Sequence, residues 1–256
     1  MKKKNQRPIV TETALQTPTN NVNPTPDNSP IIPQRSKLKN ELHIIERPDF
    51  SENQKKFIEL ALNKNTKLLF VSGPAGTAKS FLSIYCALKL LNQRRVSDLI
   101  YVRSAVECAD SKMGFLPGLI SDKLQPYSKP LMDKLEELLP KNEINILMKE
   151  ERISSIPINY LRGLNWNAKT ILLDESQNCT YKEILTFITR VGEFSKVFVI
   201  GDGEQSDING RSGMLKMINN FEDEESRQNG IFTFKFDVED IVRSRMVQFI
   251  IRRTRL

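Results

Sequence analysis

Residues Lys67–Leu91 read KLLFVSGPAGTAKSFLSIYCALKLL. Leu68, Leu69, Phe70 and Val71 form an apolar run with no polar interruption, as a strand buried on both faces requires. Gly73, Pro74, Ala75, Gly76, Thr77 and Ala78 then break the pattern with a turn of small residues. From Lys79 and Ser80 onward a helix follows. Backbone amides of such a turn point inward at a helix N-terminus and cradle phosphate oxygens. Lys79 would then reach the β- and γ-phosphates, and the Ser80 hydroxyl would coordinate Mg2+. The spacing is that of G-x-x-x-x-G-K-[ST], except that Ala78 takes the place of the second glycine. Alanine costs little there if the backbone is already helical, because glycine is needed only where φ is positive.

Further along, TILLDESQN (170–178) places apolar residues ahead of Asp174 and Glu175. Both carboxylates therefore emerge at the C-terminal edge of a buried strand, where ligands sit in open α/β sheets. Asp174 suits the Mg2+ shell, while Glu175 can orient or deprotonate an attacking water. An Asp-Glu pair after a strand is common and mostly solvated. Downstream of a phosphate loop it is far more specific. A third apolar run, in KVFVIGDGEQSD (196–207), also ends in polar residues. Gln205 could sense the γ-phosphate or position the water, and Asp202 suits a turn or cap.

The rest of the chain alternates short apolar runs with amphipathic stretches, as in a parallel sheet covered by helices. Strands are expected at 67–71, 98–102, 170–173, 196–200 and 231–236. Ser51 with Gln54, and Thr180 with Glu183, fit the capping box that satisfies two orphan amides reciprocally. Asp237 is placed to cap a last helix over 238–251. Pro126, Pro130 and Pro140 predict helices that are short or begin at those residues. The expectation is one α/β domain over 41–256, a RecA-like P-loop unit with a mainly parallel sheet flanked by helices.

Residues 1–40 hold Pro8, Pro18, Pro24, Pro26, Pro30 and Pro33 among Thr, Asn, Ser and Lys. Such a segment cannot offset its ordering entropy by burial, so it reads as a disordered tail. The 256 residues are 39% hydrophobic and carry 38 Lys plus Arg against 31 Asp plus Glu. Most of the +7 excess lies in the tail, in Lys2, Lys3, Lys4, Arg7, Arg35, Lys37 and Lys39 against Glu12 and Asp27. Net charge is thus a weak argument for a nucleic-acid partner. With no apolar run near the roughly 18 residues of a membrane span, and no hydrophobic signal stretch, a cytoplasmic location is expected. Cys86, Cys108 and Cys179 lack paired metal-ligand spacing and read as buried reduced thiols. Trp166 reads as packing, His43 as a surface residue, and Glu222–Glu225 as a solvated loop.

In order along the chain, GPAGTAKS, DESQ and GDGEQ resemble the ATPase core of superfamily 1 helicases. The longer blocks RSAVECADSKMGFLPGLISDKLQPYSKPLMDKL, INYLRGLNWNAKTILLDESQNCT, RSGMLKMI and DVEDIVRSRMVQFII resemble the PhoH family of P-loop ATPases, and the likeness spans Ser51 to Ile251. The resemblance implies ATP binding and hydrolysis with Mg2+ and, in some members, an oligomer. It also matches Gln54 to a glutamine that reads adenine, alongside its capping role. The family pattern has a proline two residues after the position of Val102, where this chain has Ser104, which leaves the loop geometry around Arg103 open.

Two helicase-like domains normally close on one ATP, with the second supplying arginine. With one such domain expected here, a neighbouring subunit is the expected source, and Arg162, Arg211 and Arg243 are candidates. Arg243, Arg245, Arg252, Arg253 and Arg255 crowd the C-terminal end and suit an RNA or single-stranded DNA contact, beyond what complementing a helix dipole demands. The leading function is an ATPase that remodels RNA or single-stranded nucleic acid. The rival is a nucleotide-gated binding module with negligible hydrolysis.

Overall fold

The computed structural model describes residues 38, 40–47, 49–104, 120–161, 163–203, 205, 208 and 210–254, with residues 120–126 as backbone only. The tail, apart from Leu38 and Asn40, lies outside these, as do Cys108, Arg162 and Arg255.

Six strands build one parallel sheet: β1 (Leu68–Ser72), β2 (Asp98–Arg103), β3 (Ile153–Pro157), β4 (Lys169–Asp174), β5 (Lys196–Gly201) and β6 (Ile231–Lys235). Their spatial order is β3-β2-β4-β5-β1-β6. β1 is flanked by β5 and β6, with Leu68 level with both Val197 and Ile231. Around the sheet lie α1 (Glu52–Leu62), α2 (Lys79–Asn92), α3 (Ile120–Leu138), α4 (Lys141–Lys149), α5 (Tyr181–Ile188), α6 (Met214–Asn219), α7 (Glu224–Gln228) and α8 (Arg245–Thr254). The α/β architecture read from the sequence is the one observed.

The period-two geometry of a strand explains the core. Leu69 and Val71 join one apolar cluster with Phe57, Leu82, Leu88, Leu172, Phe198 and Phe236. Phe70, their neighbour in the strand, turns to the other face and joins Ile171, Leu173, Val197, Val199 and Met214. Each such fully buried side chain contributes about 1.5–3 kcal/mol of transfer free energy. Trp166 packs in the second cluster at 5.6 Å from the Phe187 ring. Cys86 and Cys179 are buried free thiols, and burial pushes the Cys179 thiol up to about 12.

Both expected capping boxes form, at Ser51 with Gln54 and at Thr180 with Glu183. Four features depart from the sequence reading. First, β3 is an additional strand. It lies at the sheet edge, where its serines and Pro157 are tolerated because one side of the strand needs no ladder partner.

Second, α3 runs through Pro126 and Pro130 rather than starting at them, while Pro140 does stand at the N-terminus of α4. Burial of Leu131, Leu135 and Leu138 at 0–1% exposure offsets the interior-proline cost of about 3 kcal/mol.

Third, the helix expected over 238–251 is split. A single 3-10 turn spans Val238–Asp240, where the Asp237 amide donates to Asp240 Oδ2 at 2.8 Å. The Val242 amide then leaves the helical path to donate to Gly76 O at 2.9 Å. α8 restarts beyond Ser244, whose Oγ accepts from the Val247 amide at 3.4 Å. Fourth, the acidic run is no plain loop: Asp223 Oδ1 accepts the Ser226 amide at 2.7 Å and caps α7.

Candidate nucleotide-binding site

The C-terminal ends of β1, β4 and β5 open into a cleft of about 460 Å3. Its lining includes Ala75, Gly76 and Ala78 from the loop after β1, Lys79 and Ser80 at the start of α2, Asp174 at the end of β4 with Glu175 after it, and Gly201 at the end of β5 with Asp202 and Gln205 after it. Residues far apart in the chain thus meet because parallel strands deliver all their C-terminal ends to one edge.

The loop is held by close backbone approach. Gly73 has φ +148, and a Cβ there would stand 2.7 Å from both Cβ and O of Phe236. The Phe236 amide donates to Ser72 O at 2.8 Å, which locks the chain after β6 against the start of the loop. At the loop's middle, Thr77 Oγ1 donates to Pro74 O at 3.0 Å. Lys79 Nζ folds back to donate to Gly73 O at 2.6 Å and Pro74 O at 2.7 Å, so its ammonium sits inside the loop. Ala78 is the exception to the sequence reading. Its φ of 64 and ψ of 21 are left-handed, not helical. Glycine would therefore relieve strain at this position, and alanine is not the inexpensive substitution expected.

Ser80 and Asp174 meet directly: the serine hydroxyl donates to Asp174 Oδ1 at 2.7 Å. Asp174 is buried at 6% exposure, and its Oδ2 accepts from the Tyr101 hydroxyl at 2.6 Å. Tyr101, on the neighbouring strand β2, fixes the carboxylate. Its own titration is pushed far up by burial and by the Asp174 charge it faces. The sequence reading missed Tyr101, because a tyrosine inside an apolar strand reads as packing. Only the parallel pairing of β2 with β4 brings it to Asp174.

Glu175 has φ +55, a left-handed backbone at the edge of the cleft. Its Oε2 accepts from Gln177 Nε2 at 2.6 Å, and Arg103 Nη2 lies 4.0 Å from Oε1. Gln177 Oε1 in turn accepts the Asp202 amide at 3.1 Å, tying β4 and β5 together beneath the cleft. Gln54 stands apart from the lining residues. Its Oε1 accepts the Ser51 amide at 3.0 Å in the capping box.

Arg47, Phe81, Lys134 and Glu137 also line the cleft. The Arg47 guanidinium lies 4.6 Å from the Phe81 ring centroid and donates to Glu137 Oε2 at 2.8 Å. Val242 and Arg243 complete the rim. Arg243, a candidate for reaching a neighbouring subunit, thus lies against its own chain's loop. Arg211 is exposed, with Nε donating to Ile208 O.

Ser80 and Asp174 offer hard oxygen donors of the kind Mg2+ takes together with phosphate oxygens. Among the described residues, no cluster of three or more His, Cys, Asp or Glu could hold a metal by itself. Within the described residues, no helix is long and apolar enough to cross a membrane.

The model of the PhoH-like protein family matches residues 48–254. The chain belongs to the PhoH-like family. A PhoH-like protein of Mycobacterium tuberculosis (strain ATCC 25618 / H37Rv) is 38% identical over 201 residues, covering 78% of this chain and 55% of that protein. For a PhoH-like protein of Bacillus subtilis (strain 168) the figures are 35% over 200 residues, 75% and 59%. Protein PhoH of Escherichia coli (strain K12) is 31% identical over 205 residues, covering 78% and 56%. The chain thus spans little more than half the length of these relatives. Membership makes this PhoH-like chain a P-loop ATPase-like protein.

Proposed function

We propose that the cleft binds ATP with Mg2+ and hydrolyses it, and that hydrolysis drives remodelling of RNA or single-stranded DNA by a cytoplasmic homo-oligomer. The observation that carries the reading is the 2.7 Å bond from Ser80 to Asp174, which joins the loop helix to the end of β4 across the cleft. When bound, Mg2+ would neutralise charge developing on the phosphates. Ser80 and Asp174 would hold that ion, and the hydroxyl of Tyr101 keeps Asp174 aimed. Amides of Gly73, Pro74-Ala75, Gly76, Thr77 and Ala78 wrap the phosphates, and Lys79 exchanges its two carbonyl contacts for phosphate oxygens. Pro74 contributes shape only, since it has no amide hydrogen.

Glu175 takes the proton of the attacking water, and Gln205 holds that water or the γ-phosphate. Gln54 selects adenine through Nε2, because its Oε1 already serves the cap. Exposed Arg245, Arg252 and Arg253 on α8 supply the nucleic-acid contact, with binding that weakens steeply as salt rises. Phosphate release measured with and without RNA tests the proposal. It expects a rate that Glu175→Gln abolishes, and an unchanged rate in that variant sinks the enzymatic reading.

One observation favours the rival reading of a nucleotide-gated binder. Glu175 is engaged by Gln177 and lies near Arg103, so its carboxylate must swing free before it can accept a proton. Tight ATP uptake without phosphate release would support that alternative.

A further inference from the structure

We propose that the outward face of α8 is a stacking platform for a base of single-stranded nucleic acid, with the Phe249 ring as its surface and Arg245, Arg252 and Arg253 gripping the adjoining phosphates. The inference rests on the nucleic-acid part of the reading above, which uses the arginines alone, and deepens it by naming the group that holds a base.

α8 presents two unlike faces. Val247, Gln248 and Ile251 are half-buried. Residues three, four and seven apart share a helix face, so Arg245, Phe249, Arg252 and Arg253 lie together on the other side, with Met246 and Ile250 beside the ring. Phe249 is 59% exposed there and Met246 68%. The helix is well seated beneath them. Ser244 Oγ accepts the Val247 amide at 3.4 Å, and Gln248 Nε2 donates to Ile241 O at 2.9 Å and to Arg243 O at 3.0 Å. A ring on so anchored a helix is offered to a partner at little ordering cost.

Charge says what covers the face. From Ile241 to Thr254 the chain carries Arg243, Arg245, Arg252 and Arg253 and no Asp or Glu. Among the described residues no carboxylate pairs with Arg245, Arg252 or Arg253, so their guanidinium groups are open to an outside polyanion. Arg253 narrows the choice. Its guanidinium carbon lies over the Phe249 ring, 5.4 Å from the centroid, and its place on the helix falls between Phe249 and Met246. A helix that lies in a bilayer keeps its cations on the opposite, polar face, whereas here a cation stands within the apolar strip. A single strand offers π-faces and phosphates side by side along one backbone, so it uses ring and arginine together, base on the one and phosphate on the other.

The test measures fluorescence anisotropy of two labelled probes: a single-stranded oligothymidylate, and an abasic DNA strand of equal length that keeps the phosphates and lacks the bases. The unaltered chain should bind the oligothymidylate more tightly. Phe249→Leu, which stays apolar and loses the ring, should weaken oligothymidylate roughly fivefold to a hundredfold and leave the abasic strand unchanged. Phe249→Trp should restore binding, and its added indole should be quenched by oligothymidylate and not by the abasic strand. Arg245→Gln combined with Arg252→Gln should weaken both probes and flatten the slope of log affinity against log salt by about 1.4. Equal affinity of the unaltered chain for the two strands, or undiminished oligothymidylate binding by Phe249→Leu, overturns the platform and leaves a purely electrostatic contact standing. Sedimentation supplies two further refutations: binding to phosphatidylserine vesicles, or self-association of the chain, that Phe249→Leu abolishes would assign the face to a membrane or to a second copy. Failure of the unaltered chain to bind either strand would instead remove the nucleic-acid reading, and this proposal with it. Melting temperatures should not change, because the ring is exposed, and the Phe249→Trp rescue keeps the test decisive if Phe249→Leu loosens α8.

Discussion

Replacing Gly73 with alanine tests how the phosphate loop is held. A Cβ at this position would stand 2.7 Å from Cβ and O of Phe236, and the second of those is backbone that cannot rotate away. Overpacking of this kind costs about 1–3 kcal/mol. The backbone adds strain of about 1–3 kcal/mol, because φ is +148. Together the penalty is roughly 2–6 kcal/mol, and at about 2–4 °C per kcal/mol for a domain of this size the melting temperature should fall by roughly 4–24 °C. Gly163→Ala supplies the control: φ there is +83 and nothing lies within 4 Å of an added Cβ. That change carries strain alone, about 1–2 kcal/mol, or a fall of about 2–8 °C. Scanning calorimetry, with fluorescence of the buried Trp166 as a second probe, reads both variants. If the two melted together, the contact between the loop and the end of β6 would not be what fixes Gly73, and the account of the loop would be refuted.

Ala78→Gly should raise the stability slightly, by at most about 1.6 kcal/mol. Relief of the left-handed strain, about 1–2 kcal/mol, exceeds the added freedom of the unfolded chain, about 0.4–1 kcal/mol; a lowered urea midpoint would contradict this. Tyr101→Phe removes the hydroxyl from Asp174 Oδ2 and should cost about 1.5–3 kcal/mol in urea unfolding, together with weaker Mg2+-dependent nucleotide uptake. A cost below about 0.5 kcal/mol would show that the bond does not anchor the carboxylate. Burial, with Arg95 adding to it, lowers the Lys196 ammonium to about 8 from 10.5. Between those values the unfolded chain binds the extra proton, so this residue contributes stability that grows as pH rises through the window. Unfolding free energies of the native chain and of Lys196→Met should therefore diverge in favour of the native chain from pH 7.5 to 9.5, and a constant difference would count against the argument.

The strands that build the cleft were legible because they are buried on both faces: β1, β4 and β5 read as unbroken apolar runs. β3 was not, since an edge strand of sequence ISSIP carries neither alternation nor a long apolar run. The two long-range rearrangements were hidden for a common reason. Pro126 and Pro130 look like helix breakers until the burial of Leu131, Leu135 and Leu138 is known. The break before α8 depends on Gly76 accepting the Val242 amide, a bond between residues far apart in the chain. The loop, Asp174 and Glu175 were readable from local order alone. Tyr101 beside Asp174, and Arg47 and Arg243 in the cleft lining, were not, because only folding supplies the neighbours of each. At Ala78 the motif itself held the information: a glycine in the common pattern signals positive φ, and the φ of 64 observed here obeys it.

One strand, β5, lies between the strand that carries the loop and the strand that carries Asp174. The two sides of the cleft are therefore two ladder spacings apart, about 10 Å, and both ladders would have to tear for that gap to change. The fold works here as a fixed gauge, to which the proposed polyphosphate ligand must conform. Adjustment is left to parts outside the ladders, the side chains of Lys79 and Glu175 and the short span at Ile241–Arg243, so any motion on binding should be sought at the rim and not in the floor.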